Sequence, residues 1–186
     1  MGETSSTIDD AVRKFIEGQP LFFVGSAPLD PDGHVNVSPK GLDTLRIFGP
    51  STVAYLDLTG SGIETVSHLK ENGRIVLMFC NFQGPPKILR LYGLGRVVEL
   101  GHPEFQPLAD RFPAHDGARA VILIEVSRIA DSCGYGVPLF EYSGQRSQLS
   151  AWSQKLGPAG LEKYRREKNS RSIDGVPGLE MPAGEI

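Results

Sequence analysis

The chain begins with a pattern typical of a short amphipathic helix. Apolar residues recur every three or four positions and so share one helical face: Ile8, Ala11, Val12, Phe15 and Ile16. Thr7 is expected to cap the start of this helix, and Gly18 is expected to end it. The apolar face should cover part of a hydrophobic core.

From residue 21 onward the pattern becomes that of short β-strands. The segments rich in β-branched, aromatic or other apolar residues are 21–27, 34–38, 46–48, 52–57, 74–80, 88–98 and 121–126. Asp30-Pro31-Asp32-Gly33 joins the first two into a hairpin, and Gly93 and Gly95 suggest a bulge. Segment 74–80 shows hardly any alternation of apolar and polar residues, as expected for a strand covered on both faces. The pattern predicts a mainly β protein built as an antiparallel barrel with flanking helices, not a βαβ sheet.

Three further helices are predicted between and after these strands. They cover 63–71, 105–111 and 148–169, the last broken near Gly157-Pro158. The tail, 170–186, is rich in Gly and Pro and is expected to be irregular. We therefore predict one barrel domain, residues 1–146. The C-terminal helical segment and tail, residues 147–186, should pack on the barrel or on a partner subunit.

Composition and charge exclude several classes of partner. The formal net charge is −3 and the basic residues are scattered, which argues against nucleic acid. The one basic cluster consists of Lys163, Arg165, Arg166 and Lys168. It is interrupted by acidic residues, which is typical of a solvated helix face. The two cysteines lie far apart in the sequence, which favours a reducing compartment such as the cytoplasm. The sequence shows no pattern of a leader or of a membrane span, so we expect a cytoplasmic protein with no membrane partner. The histidines show no metal-ligand spacing, so no metal site is predicted.

The segment Gly60-Ser61-Gly62-Ile63-Glu64-Thr65 is the first candidate for ligand binding. A glycine turn that opens a helix presents unpaired backbone N–H groups and partial positive charge, which suit an anion. The hydroxyls of Ser61 and Thr65 can each donate to a phosphate oxygen. The segment lacks the third glycine and the long crossover helix of a dinucleotide-binding fold.

A second candidate follows the first hairpin. Strand alternation places Asn36 and Ser38 on one face, and Pro39 marks an edge strand or its end. Lys40 is then expected in a loop beside this polar face, where its charge can pair with an anionic ligand. A third candidate, 131–138, sets Tyr135 between glycines that can lie against a flat ligand. It also contains Cys133, a lone cysteine that is more often inert than reactive.

In order along the chain, these segments resemble the pyridoxamine 5'-phosphate oxidase-like flavoproteins. The resemblance rests on 32–41, 55–57 with 60–65, 68–79, 91–93 and 131–138. The tail segment 169–179 looks like the ending of an uncharacterised bacterial branch of that family. Nearly the whole chain is covered.

The resemblance implies a split β-barrel of the FMN-binding type that works as a homodimer, with FMN in the groove between subunits. The implied function is an FMN-dependent oxidoreductase that acts on an unidentified small molecule. The implied cofactor contacts are Asn36, Val37, Ser38, Lys40, Tyr55, Ser61, Gly62, Glu64, Thr65, Cys133, Tyr135 and Trp152. Cys133 and Tyr135 would border the flavin ring, and Trp152 would cover it from the partner subunit. No catalytic residue is assigned.

The sequence departs from the vitamin oxidase at several positions. Val35 stands at an arginine position of the hairpin strand, and Ile63, Glu64 and Thr65 occupy the helix start, where the oxidase has basic residues. Phosphate binding would therefore depend on hydroxyls, backbone amides, Lys40 and Arg46, while Glu64 would repel phosphate unless it faces away. Vitamin B6 oxidation is not predicted, because no substrate-binding arginine and histidine match. The alternatives are an F420-binding reductase, a flavin carrier, or a cofactor-free dimeric binding module.

Overall fold

The computed structural model describes residues 4–180. Its strands are β1 (Thr4–Ser5), β2 (Phe22–Ser26), β3 (Asn36–Lys40), β4 (Leu45–Ile47), β5 (Thr52–Leu58), β6 (Arg74–Cys80), β7 (Ile88–Glu99) and β8 (Ala118–Ser132). Its helices are α1 (Asp10–Glu17), α2 (Glu64–Asn72), α3 (Phe105–Ala109) and α4 (Gln148–Lys168). None of the helices within residues 4–180 has the length and apolar character needed to cross a membrane.

The strands form one antiparallel sheet that curls into a half-barrel with flanking helices. The strand order is β3-β2-β6-β7-β8-β5-β4, and β1 adds to β8. The β7–β8 ladder is the longest and shifts register between Tyr92 and Gly93, where a bulge was predicted. The predicted mainly β, antiparallel architecture is confirmed.

The main core cluster lies on one face of the sheet, and a smaller cluster with Phe105 and Phe112 lies on the other face of β5. The rings of Tyr55 and Phe79 pack around Phe22, at centroid distances of 5.8 and 5.9 Å. In β6 the side chains of Ile75, Leu77 and Phe79 are buried, but Val76 and Met78 are only half-buried. Within one chain β6 is therefore fully covered on one face only, because strand alternation turns every second apolar residue outward.

Several boundaries differ from the sequence predictions, among them that of β3, which covers Asn36–Lys40 instead of 34–38, so Lys40 is a strand residue and not a loop residue. The carboxylate of Asp9, not Thr7, caps α1 by accepting from the N–H of Val12 at 2.8 Å. A carboxylate at this position also interacts favourably with the partial positive charge at the start of the helix. Strand β8 extends past both ends of its apolar run because its ladder with β7 continues, so Asp131 and Ser132 are strand residues rather than irregular ones.

Helix α4 and the segment after it pack against the barrel. Gly157, with φ of 64°, interrupts α4 just before Pro158, as predicted. The segment after α4 is less irregular than expected, since Arg171 and Pro177 form an isolated β-bridge. Nζ of Lys70 on α2 donates to the carbonyl of Gly178 at 2.7 Å, so this segment is fixed to α2.

Candidate functional site

A cavity of about 160 Å³ lies where β3, the end of β5, the start of α2 and the start of β8 meet. Its lining is mostly polar: Asn36, Ser38, Lys40, Asp57, Leu58, Gly60, Gly62, Ile63, Glu64, Thr65 and Arg119. We call it the anion cavity, because of the donors described below.

Strand β3 supplies one wall of the anion cavity. Asn36 and Ser38 lie on the same strand face, and Nδ2 of Asn36 donates to Oγ1 of Thr65 at 2.9 Å. Because this oxygen accepts from Asn36, the hydroxyl proton of Thr65 is available to donate to a ligand. The contact also fixes β3 against the first turn of α2.

The start of α2 supplies the opposite wall. Ile63 precedes the helix and offers no side-chain cap. The N–H groups of Glu64, Thr65 and Val66 are the first in the helix and have no intrahelical acceptor. None of the hydrogen bonds found among residues 4–180 uses them. Together with the helix dipole, these N–H groups form a site that favours an anion.

Glu64 is the unfavourable element of this cavity. Its carboxylate lies close to the backbone of Gly62, where a Cβ would come within 2.6 Å of Oε2 of Glu64. Glu64 and Gly62 both line the cavity, so this carboxylate lies near it. Its negative charge opposes binding of a second anion.

A buried ion triad lies at the floor of the cavity. Asp57 is 1% exposed, and its two carboxylate oxygens accept from Nζ of Lys40 at 2.9 Å and from Nε of Arg119 at 2.7 Å. Burial alone would raise the pKa of Asp57, but the charges of Arg119 and Lys40, with the hydrogen bonds both donate, lower it from 3.8 to about 2. Asp57 is therefore ionised at neutral pH and holds Lys40 in place.

Arg119 also fixes the glycine turn. The β5–β8 register shifts between Asp57 and Leu58, which leaves Arg119 as the extra residue of a bulge in β8. Its Nη1 and Nη2 donate to the carbonyls of Gly60 and Gly62, at 3.2 and 2.8 Å. With these carbonyls held, the turn enters α2 in one defined conformation.

The structure brings together half of the residues that the sequence analysis proposed. Those that line the anion cavity are Asn36, Ser38, Lys40, Gly62, Glu64 and Thr65. Val37 does not, because alternation turns it to the opposite face of β3. Tyr55 is fully buried in the core, and burial raises the pKa of its hydroxyl well above 10. Ser61 is exposed in the turn and does not line the cavity.

The remaining proposed residues lie elsewhere. Cys133 and Tyr135 follow β8 on exposed backbone, and Tyr135 is 82% exposed. Trp152 lies on α4 with its ring edge-on to that of Tyr164, at 4.9 Å. Arg46, which we expected near the phosphate, instead donates to both carboxylate oxygens of Asp43, at 2.7 and 2.9 Å. Within one chain, none of these four proposed residues reaches the anion cavity.

Five residues that line the cavity were not among those proposed, and two of them are charged. Asp57 and Arg119 are the buried charges of the triad, and each sits at the end of an apolar strand segment. That position was the available signal, because a charged residue in a buried strand needs a partner. Their pairing across β5 and β8 was not visible in the sequence.

The curled antiparallel sheet with its flanking helices defines the class of protein, a split barrel. Residues 8–133 match the family described as Pyridoxamine 5'-phosphate oxidase. The pyridoxamine 5'-phosphate oxidase family protein ustO of Aspergillus flavus is 40% identical over an aligned length of 190 residues. The alignment covers 93% of this chain and 76% of that protein. This chain therefore belongs to the pyridoxamine 5'-phosphate oxidase family.

Solved structures share the fold. HupZ of Group A Streptococcus superposes with a TM-score of 0.53 at 22% identity, covering 68% of this chain and 94% of that one. A putative pyridoxamine 5'-phosphate oxidase from Lactobacillus delbrueckii gives a TM-score of 0.52 at 16% identity, covering 67% and 94%. At these identities the likeness concerns the fold alone, and it confirms the predicted split barrel.

Proposed function

We propose that this protein binds FMN and acts as an FMN-dependent oxidoreductase on a small molecule. The observation that carries the proposal is the anion cavity, where unpaired N–H groups of α2, the hydroxyl of Thr65 and the ammonium of Lys40 converge. Membership of the pyridoxamine 5'-phosphate oxidase family supports the same cofactor class.

The donor set fits a phosphate monoester. Its oxygens accept several hydrogen bonds, and Lys40 uses one of its three N–H groups on Asp57, which leaves two for a ligand. A cavity of about 160 Å³ is smaller than the roughly 300–1,000 Å³ of sites that enclose a whole cofactor. The phosphate would therefore occupy the cavity, and the flavin ring would extend out of it.

The protein's own residues have a positioning role in this proposal. A bound flavin supplies the hydride or electron transfer. Asp57 holds Lys40, and Arg119 holds the glycine turn, so both walls of the cavity are set before the phosphate binds. Such preorganisation lowers the entropic cost of binding.

A homodimer is the second part of the proposal, and it rests on the outer face of the sheet. There a row of apolar residues crosses β3, β2, β6 and β7 in register, formed by Val37, Gly25, Val76 and Tyr92. Val37 is 64% exposed, and Leu94 nearby on β7 is 61% exposed. Contiguous exposed apolar surface of this kind marks an interaction site. Since β3 is an edge strand whose opposite face lines the anion cavity, a second subunit on this face would lie close to the cavity across β3.

The decisive experiment identifies what co-purifies with the protein. Absorbance with two visible bands and the mass of FMN would support the proposal, and the mass of F420 would replace FMN by the deazaflavin. If the protein carries no flavin and does not bind added FMN, the proposal is wrong. Bound flavin that neither NADH nor NADPH reduces would favour a carrier.

Substitutions test the site itself. Lys40→Ala or Thr65→Ala is expected to weaken FMN binding by about 1–3 kcal/mol, the scale of a charge-assisted hydrogen bond. Ser61→Ala is the matched control, because Ser61 is exposed in the same turn and does not line the cavity. Unchanged affinity in both Lys40→Ala and Thr65→Ala would place the phosphate elsewhere.

A further inference from the structure

A second, larger cavity of about 780 Å³ lies between α4, α3, the end of β7 and the start of β8. Phe105, Leu161 and Leu179 give it apolar walls. We call it the α4 cavity. It shares with the anion cavity only the side chain of Arg119. Its volume is in the range of about 300–1,000 Å³ that small-molecule sites occupy.

Arg165 gives this cavity a buried positive charge. The residue is only 9% exposed, with Nε donating to Oγ1 of Thr59 at 2.8 Å and Nη2 to the carbonyl of Ala118 at 2.9 Å. Among residues 4–180 it forms no ion pair with a carboxylate. Burial lowers its pKa, and the neighbouring charge of Arg119 lowers it further. A buried cation with only neutral acceptors is costly, and an anion placed beside it would remove that cost.

Ser153 supplies a second, independent indication of a ligand. It is fully buried and lines the α4 cavity, yet its hydroxyl has no hydrogen-bond partner among residues 4–180. Most buried hydroxyls have a partner, and an orphaned one carries a free-energy cost. A ligand oxygen in the cavity would accept its proton.

The two groups converge on one short stretch of backbone. A Cβ on Gly117 would lie 2.6 Å from Oγ of Ser153, while the guanidinium of Arg165 binds the carbonyl of the next residue, Ala118. Both groups therefore lie beside residues 117–118 at the start of β8, although they are on opposite sides of the kink in α4. His115 lies there as well, and burial lowers its pKa, so it adds no positive charge at neutral pH.

Four acids border the α4 cavity, Glu99, Asp116, Glu162 and Glu180, and none of them forms an ion pair with Arg165, although the negative charge of Glu162 opposes the lowering of its pKa. Glu99 pairs with Lys70 and accepts from the N–H of Glu180. Glu162 pairs with Arg166 at 2.7 Å. Asp116 is exposed to solvent. Among residues 4–180, Arg165 is therefore left without a carboxylate in direct contact, and a ligand carboxylate could take that place.

We propose that the α4 cavity binds a small amphipathic carboxylate. The carboxylate pairs with Arg165, the hydroxyl of Ser153 donates to a ligand oxygen, and the apolar part lies against Phe105, Leu161 and Leu179. The inference does not depend on flavin, because none of these residues lines the anion cavity.

Isothermal titration calorimetry with 4-phenylbutyrate tests the proposal on the full-length protein as purified. Two comparison ligands isolate the two parts of the argument: 4-phenylbutyramide, which has the same shape without the charge, and inorganic phosphate, which has charge without the apolar part. The carboxylate is expected to bind at least about tenfold more tightly than either, the effect of one hydrogen bond to a charged group. Equal binding of the amide or of phosphate, or no binding of any of the three, would overturn the proposal.

Variants locate the binding. Ser153→Ala is expected to weaken the binding of 4-phenylbutyrate about tenfold. The thermal stability of this variant should stay unchanged or rise, because the change removes an unsatisfied hydroxyl. Arg165→Met should make the acid and the amide bind equally. Lys155→Met, an exposed charge change on the same helix outside the cavity, should have no effect.

If Arg165→Met does not fold, Ser153→Ala and the amide comparison decide the question. Wild-type affinity in Ser153→Ala would show that the acid binds elsewhere. In that case the C-terminal end of α4 and the carbonyl of Ala118 compensate the charge of Arg165 by themselves.

Discussion

Replacement of Asp57 by asparagine perturbs the buried triad with almost no change in volume. The amide removes the negative charge with which both Lys40 and Arg119 pair, so these two cations then lie near one another without that counter-ion. Arg119 is 4% exposed, so solvent cannot compensate for the loss on that side. The carbonyls of Gly60 and Gly62 still bind Arg119, and the glycine turn should therefore persist in the folded variant.

The magnitude follows from two arguments that agree. The pKa of Asp57 is lowered from 3.8 to about 2. At about 1.4 kcal/mol for each tenfold change in the dissociation constant, this corresponds to roughly 2–3 kcal/mol of stability at neutral pH. Removing one partner of a buried ion pair costs about 3–5 kcal/mol in general. We expect Asp57→Asn to lower the free energy of unfolding by about 2–5 kcal/mol.

Urea unfolding at pH 7, followed by circular dichroism, measures this difference. Asp43→Asn is the matched control, because Asp43 also pairs with an arginine but its side chain is 66% exposed, and it should cost less than about 1 kcal/mol. Since the folded pKa of Asp57 lies below the unfolded one, its contribution is complete above about pH 4 and is lost as the pH falls toward 2. The reasoning would be refuted if Asp57→Asn were no less stable than Asp43→Asn. It would also be refuted if the difference in unfolding free energy between Asp57→Asn and the wild type did not become smaller in acid.

Three further changes test other parts of the structure. Val37→Lys places a charge in the exposed apolar row of the sheet and should convert the proposed dimer to monomers in light scattering, whereas Ile173→Lys, at a residue 70% exposed elsewhere, should not. Gly93→Ala brings a Cβ against the carbonyl oxygen of Glu125 and should lower the free energy of unfolding by at least about 2 kcal/mol, while Gly136→Ala, with open space around it, should be neutral in the same urea assay. Glu64→Gln should tighten FMN binding about two- to fivefold at low salt, and unchanged affinity would show that the carboxylate does not face the phosphate.

Local signals explain what was predicted well. Strand β6 has the predicted bounds, Arg74–Cys80, because Asn72-Gly73 ends the preceding helix and the apolar run stops at Cys80. The kink at Gly157 was predictable since Pro158 cannot continue a helix. In the site, the segments 36–40 and 60–65 each carry their donors within a few residues, so strand alternation and the helix start could be inferred without the fold.

Properties that depend on distant partners were not predictable. Tyr55 belongs to the matching segment 55–57, but the sequence does not show that its ring faces the core, where it packs on Phe22. The direction of Arg119 depends on a one-residue shift between β5 and β8, which no pattern along either strand encodes. A bulge redirects a side chain only once its partner strand is known.

The triad explains how an anion site can persist although the helix start lacks basic residues. Val35 and Glu64 stand where the resemblance would place positive charge, so cations must come from the sheet instead. Lys40 arrives from β3 and Arg119 from β8, and Asp57 prevents them from repelling each other. Arg119 directs its donors to Asp57 and to two backbone carbonyls, which makes it a positioning residue, whereas Lys40 retains donors for a ligand. Lys40 is therefore the side chain whose charge we expect to act on the phosphate directly.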